Sequence, residues 1–213
     1  MSDTALIVGV GDIHGRFHRV RTWLDALEHA LDRPVDAVLA VGDVEAFATA
    51  DDHRRKAAKR TMPAEFEAFA RGESRMTRPF YFIGGNNEDF ESLQGLAEGG
   101  EVAPGVHYLG RAGAATIAGI RIGWLSGIYA PKWLDTPLQS PTTAATRKQA
   151  GYFRRPEVDR RLGQGPATIT HLGQWPNWLR HRSPKPAIPG SSPGCPVFAI
   201  PGVEPNIRLK AGA

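Results

Sequence analysis

Along the first 171 positions, short apolar runs repeatedly stop at a glycine, a polar residue or both. Ala5–Val10 runs into Gly11-Asp12, Ala37–Val41 into Gly42-Asp43, Phe80–Ile83 into Gly84-Gly85-Asn86, and Ala167–Thr170 ends on His171. Apolar runs this short, closed by turn-forming residues, read as buried strands. Between the first two, Phe17, Val20, Trp23, Leu24, Leu27 and Leu31 recur at helical spacing. They predict an amphipathic helix from Phe17 to Leu31, and Pro34 bars its continuation. Further helical stretches are predicted over Ala50–Ala70 (polar), Asp89–Ala97 and Thr143–Leu162 (basic). Val106–Leu109, Ala114–Ile117 and Ile120–Leu125 read as strands, the last two joined at Ala118-Gly119. Strands alternating with helices give the α/β class.

The residues that close the strands carry the chemistry. In an open α/β sheet the functional crevice lies at the carboxyl ends of the strands. Asp12 and His14, then Asp43, then Asn86 and Asn87, then His171 all fall at such ends. Carboxylate and amide oxygens together with imidazole nitrogens suit divalent Mn, Fe or Zn. Any one of these residues alone is better explained as a turn former or a structural histidine. Their agreement in type, order and placement is what points to a site. His18, His29, His53, His107 and His181 have no such placement and are assigned no role. The segment Gly9-Val10-Gly11-Asp12-Ile13-His14-Gly15 fits a dinucleotide fingerprint poorly. Its last glycine comes one position late, and Asp12 would put a negative charge where a pyrophosphate must sit.

The formal net charge is +4, but residues 1–171 hold 21 basic and 21 acidic side chains, so the body is neutral. Residues 172–213 hold five basic side chains, one acid and eight prolines. The high isoelectric point therefore says little about the body's partners. No apolar run reaches 18 residues, so no membrane span is expected. The N-terminus lacks the pattern of a signal peptide, and Cys195 has no intramolecular partner, so a cytoplasmic location is expected. The composition divides the chain into a folded domain over 1–178 and an irregular, Pro-rich tail over 179–213.

Gly11-Asp12-Ile13-His14-Gly15, Gly42-Asp43, Gly85-Asn86-Asn87-Glu88 and Thr170-His171 together resemble the successive motifs of calcineurin-like metallophosphoesterases. The likeness is greater to the branch that contains the RNA lariat-debranching enzyme and its bacterial relatives. It extends through FIGGNNE (82–88), VAPGVHYLG (102–110) and GIRIGWLSGIY (119–129). The resemblance implies a four-layer αββα sandwich with two divalent metal ions at one edge. Asp12 and His14 would hold the first ion, Asp43 would bridge both, and Asn86 and His171 would hold the second. It also implies a hydrolase that attacks phosphate esters, of phosphodiester or nucleotide type, with a metal-activated water.

The sequence departs from that family in two places. Family members often carry a histidine where Asn87 stands, and an amide cannot act as its general acid. The family's final G-H-x-H motif has no counterpart here, since no histidine follows His181. Each ion would then keep three protein ligands, and the C-terminal part of the fold is expected to be incomplete. The change of composition near Leu172 fits either an altered reading frame or an authentic disordered tail. Two other functions follow from the same residues: a metallophosphoesterase fold reduced to a binding module, and an RNA 2′–5′ phosphodiesterase. The second would use the basic patch of Arg147, Lys148, Arg154, Arg155, Arg160 and Arg161 against phosphates, although Glu157 and Asp159 interrupt it and a solvated helix face is the better reading. The sequence says nothing of oligomeric state.

Overall fold

A computed structural model of the chain describes residues 5–57, 63–140 and 143–172. The tail over 179–213, with Cys195, lies outside the described residues. The elements run β1 (Ile7–Val10), α1 (Phe17–Leu31), β2 (Ala37–Val41), α2 (Ala50–Ala57), α3 (Phe66–Ala70), β3 (Phe80–Ile83), β4 (Gly100–Ala103) and β5 (Val106–Tyr108). They continue with β6 (Ala112–Ile117), β7 (Ile120–Leu125), α4 (Pro131–Leu134), α5 (Ala144–Ala150), α6 (Arg155–Gly163) and β8 (Ile169–Leu172).

The strands form two sheets. One has the order β1-β2-β3-β5-β4, parallel except for the edge strand β4. The other has the order β6-β7-β8, with β6 antiparallel and β8 parallel to β7. Successive side chains in a strand point to opposite faces, and the first sheet uses both. Val8, Val10, Val38, Ala40, Phe80 and Phe82 join the core under α1 and α3, where Phe17 meets Phe66, Phe69 and Phe80 at ring distances of 4.8, 5.2 and 5.8 Å. Ile7, Ala37, Leu39 and Tyr81 face the other way and pack against Ile117, Ile120 and Ile122 of the second sheet. Burial on both faces is why these strands read as continuous apolar runs and not as alternating ones.

An outer layer covers the far face of the second sheet. Ala112 and Leu125 pack there with Phe153, Val158, Tyr129 and Leu134. Arg161 of α6 lies across Gly123, where its guanidinium fills the space that a Cβ would need. Helix, sheet, sheet and helix thus make the four layers that the resemblance implied.

Several element boundaries differ from the sequence reading. The stretch Ala50–Ala70 is not one helix: α2 ends at Ala57 and α3 starts at Phe66, with Pro63 between them. Proline cannot donate the backbone bond that a continuing helix needs. Asp89–Ala97 forms turns and a single 3-10 turn at Gln94–Leu96, in a segment broken by Gly95 and followed by Gly99-Gly100. Thr143–Leu162 is two helices, α5 and α6, divided at Gly151–Arg154, and Pro156 stands in the first turn of the second. The edge strand β4 carries too few apolar residues to be seen in the sequence.

Candidate active site

Strands β1, β2 and β3 are parallel neighbours, so the loops Gly11–Arg16, Gly42–Phe47 and Gly84–Asp89 leave the sheet at the same edge. The first two run side by side as a backbone zipper. Asp12 N donates to Gly42 O (3.3 Å), His14 N to Asp43 O (3.0 Å) and Gly15 N to Val44 O (2.9 Å). The pairing requires unusual backbone. Asp12, His14, Asp43 and Glu45 have φ of 50°, 46°, 50° and 57°. They are four of the six non-glycine residues with positive φ among the described residues. Each such residue costs roughly 1–3 kcal/mol, and they persist where the surroundings over-determine them, which is typical of functional sites.

The third loop locks onto the second through two carboxylates. Asp43 is 5% exposed. Its Oδ1 accepts from Asn86 N (2.9 Å) and Asn87 N (3.1 Å), and its Oδ2 accepts from Asn87 Nδ2 (2.7 Å). In return Glu88, 1% exposed, reaches back into the second loop. Its Oε1 accepts from Val44 N (2.8 Å) and Gly85 N (3.3 Å), and its Oε2 accepts from Glu45 N (2.8 Å). Each loop therefore feeds backbone N–H groups to the other loop's carboxylate. The two peptides also approach too closely for any side chain at Gly85, where a Cβ would sit 2.5 Å from Asp43 N and overlap the Asp43 carboxylate. Gly85→Ala is therefore expected to push Asp43 out of place. A displacement near 1 Å costs turnover on the order of 10²-fold, to be read as kcat with unchanged far-UV circular dichroism.

The second sheet joins the same edge. Gly127 N donates to Gly84 O (2.6 Å) and Ser126 Oγ accepts from Gly84 N (3.1 Å), which ties the end of β7 to the end of β3. β8 runs parallel to β7 with His171 level with Trp124. The backbone of His171 is thus carried toward the carboxyl edge, one residue before the end of β8; its side chain lies outside the described part.

Of the predicted site residues, Asp43, Asn86 and Asn87 are bonded to one another, and Asp12 and His14 stand on the loop zipped to Asp43. The Asn87 side chain is turned onto Asp43, a contact the sequence did not suggest. Among the described residues no three His, Cys, Asp or Glu side chains gather closely enough to form a ready-made metal cage. The donor chemistry nevertheless fits a divalent ion: two carboxylates, an imidazole and an amide on adjacent loops, with Asp12 exposed and His14 half-buried. Asp43 keeps capacity too, since its oxygens take three donors of the about four that a carboxylate can accept.

Two residues escaped the sequence reading as individual contributors. Glu88 was visible only as part of a motif. Glu45 is fully buried at its side chain, and its Oε1 lies 3.0 Å from His14 Nδ1. The available signal was a lone acid in the apolar stretch Val44-Glu45-Ala46-Phe47, since buried acids are kept where they have a partner.

The basic patch does not form an open cationic face. Arg154 and Arg161 are buried at 3% and 6% exposure, and they donate to the carbonyls of Gln149 and Tyr152 and of Gly165. Arg147 pairs with Glu91, Arg155 with Asp135 and Arg160 with Glu98. Glu157, one of the two acids that interrupt the patch, serves buried Arg111 at 2.6 Å. Burial works against that charge, and the Glu157 carboxylate offsets it enough to hold Arg111 above the ordinary arginine range.

Comparison with known proteins bears on the family. Lariat debranching enzyme of Homo sapiens is 33% identical over 180 residues, covering 80% of this chain and 32% of that protein. Lariat debranching enzyme A of Xenopus laevis is 31% identical over 179 residues, covering 80% and 33%. Lariat debranching enzyme of Mus musculus is 37% identical over 121 residues, covering 56% and 22%. The chain spans about a third of the length of the first and second of these relatives. No helix among the described residues is long and apolar enough to cross a membrane. The calcineurin-like phosphoesterase profile matches residues 5–142, which takes in all three interlocked loops, and the chain belongs to that family.

Proposed function

We propose that this chain is a metal-dependent phosphodiesterase with a binuclear centre, acting on a nucleotide-type substrate. The observation that carries the reading is the interlock of Asp43 with the Asn86-Asn87 turn beside the Asp12–His14 loop, at the carboxyl edge of a parallel sheet. In this reading Asp12, His14 and Asp43 hold one divalent ion, and Asp43, Asn86 and His171 hold the other, with Mn, Fe or Zn suited to the donors. When bound, such ions acidify a water and neutralise charge on the phosphate. The protein's part is placement. Asp43 is the only carboxylate in this set shared by both ions, and the three N–H groups around it fix both its oxygens.

Asn87 supplies no proton. An amide does not titrate, and its Nδ2–H is directed at Asp43. The leaving oxygen must take its proton from water, so esters with acidic leaving groups should react fastest. The relatives' name supports an RNA-type diester as the physiological substrate class.

The test compares Mn²⁺-loaded protein on a chromogenic phosphodiester, the matching monoester and a 2′–5′-linked dinucleotide. The reading expects the diester to exceed the monoester at least about tenfold in kcat/KM, which is about 1.4 kcal/mol of discrimination. Equal or reversed preference contradicts it. Binding of the dinucleotide with no turnover of any ester would favour a binding module instead.

A further inference from the structure

We infer that Glu45 is a positioning residue for His14, setting which imidazole nitrogen faces the site. The inference rests on His14 being a metal ligand, as proposed above. The Glu45 side chain is entirely buried, and its Oε1 lies 3.0 Å from His14 Nδ1, while the imidazole keeps 23% of its surface exposed. The carboxylate thus sits behind the ring, on the protein side.

A neutral imidazole carries its proton on one nitrogen and a lone pair on the other. A carboxylate against Nδ1 favours the tautomer with the proton there and leaves the Nε2 lone pair for a ligand. The same contact disfavours the flipped ring, which would bring carbon to the acid in place of nitrogen.

Glu45 is itself held on purpose-built backbone. Its φ is 57°, a left-handed value that a non-glycine residue adopts at a cost. Its N–H is pinned by Glu88 Oε2 at 2.8 Å. His14 is equally constrained, with φ of 46° and its own N–H bonded to Asp43 O at 3.0 Å. Left-handed backbone at both residues thus brings the acid against the imidazole. Because the Glu45 backbone is bonded to Glu88 and its carboxylate lies against the His14 ring, this acid stands between the third loop and the first.

The test uses the full chain, metal-stripped, at a pH well above the ordinary histidine value of about 6.5. Long-range ¹H–¹⁵N NMR should show His14 protonated on Nδ1 in the wild type. In Glu45→Ala the ring should become a mixture of tautomers, and affinity for Mn²⁺, titrated directly, should fall about 10–100-fold. Glu45→Gln keeps an acceptor for Nδ1–H and should lose less than Glu45→Ala. A wild-type His14 protonated on Nε2 overturns the inference, and that reading stands even if neither variant folds. Wild-type Mn²⁺ affinity in a folded Glu45→Ala protein overturns it as well. Failure of the wild type to bind Mn²⁺, with His14 protonated on Nδ1, would overturn only the metal-site reading beneath it.

Discussion

Asp43→Asn should lower turnover of a phosphodiester by about 10³-fold at matched metal loading, more than any other single change among the proposed ligands. Several kcal/mol of charge stabilisation depend on a metal centre of this kind, and each 1.36 kcal/mol is a factor of about ten. In the proposed centre the substitution would remove one negative charge shared by both ion positions. It also reverses a contact: whichever side-chain atom becomes the NH₂ meets an N–H of the Asn86-Asn87 turn or the Asn87 amide, which now point at Asp43 oxygens from 2.7–3.1 Å. Wild-type kcat in Asp43→Asn would remove Asp43 from the mechanism.

The second large effect is on stability. Glu88→Gln should cost about 2–4 kcal/mol. The buried carboxylate takes three backbone N–H groups from two loops, and an amide can face only some of them with oxygen. A buried donor left unmet costs about 1–3 kcal/mol, and more when the lost acceptor was charged. For a chain of this size that corresponds to a fall in Tm of roughly 5–15 °C. Calorimetry reads it directly, and a Tm within a degree or so of wild type would show that the interlock is not held by Glu88.

The contrast between these residues shows what could be read from the sequence. The strands β1, β2 and β3 and the helix α1 were legible because burial on both faces of a parallel sheet, or one face of a long helix, leaves a dense apolar signature. Asp12, His14, Asp43, Asn86 and Asn87 were legible because each follows such a strand. What these side chains do to one another was not. Asp43 and Asn87 lie 44 positions apart, and only the parallel pairing of β2 with β3 brings them into contact. Glu45 and Glu88 were hidden for a related reason: a charged residue in a loop is ordinarily solvated, and only the zipping of one loop against another buries them. The basic patch is the reverse case. Six cations close in sequence could have met phosphates, but they read better as a solvated helix face. Pairing with acids from distant segments, and burial against carbonyls, used up five of them, as the pairs with Glu91, Asp135 and Glu98 show.

The central claim is that the interlocked loops hold catalytic metal. The most direct measurement strips the protein with a chelator, removes the chelator, and follows hydrolysis of a chromogenic phosphodiester while Mn²⁺ is added back. The account predicts no turnover in the stripped protein and saturable recovery with Mn²⁺, and recovery about 10³-fold lower in Asp43→Asn over the same range. Turnover that survives metal removal, or that returns equally in Asp43→Asn, would contradict it.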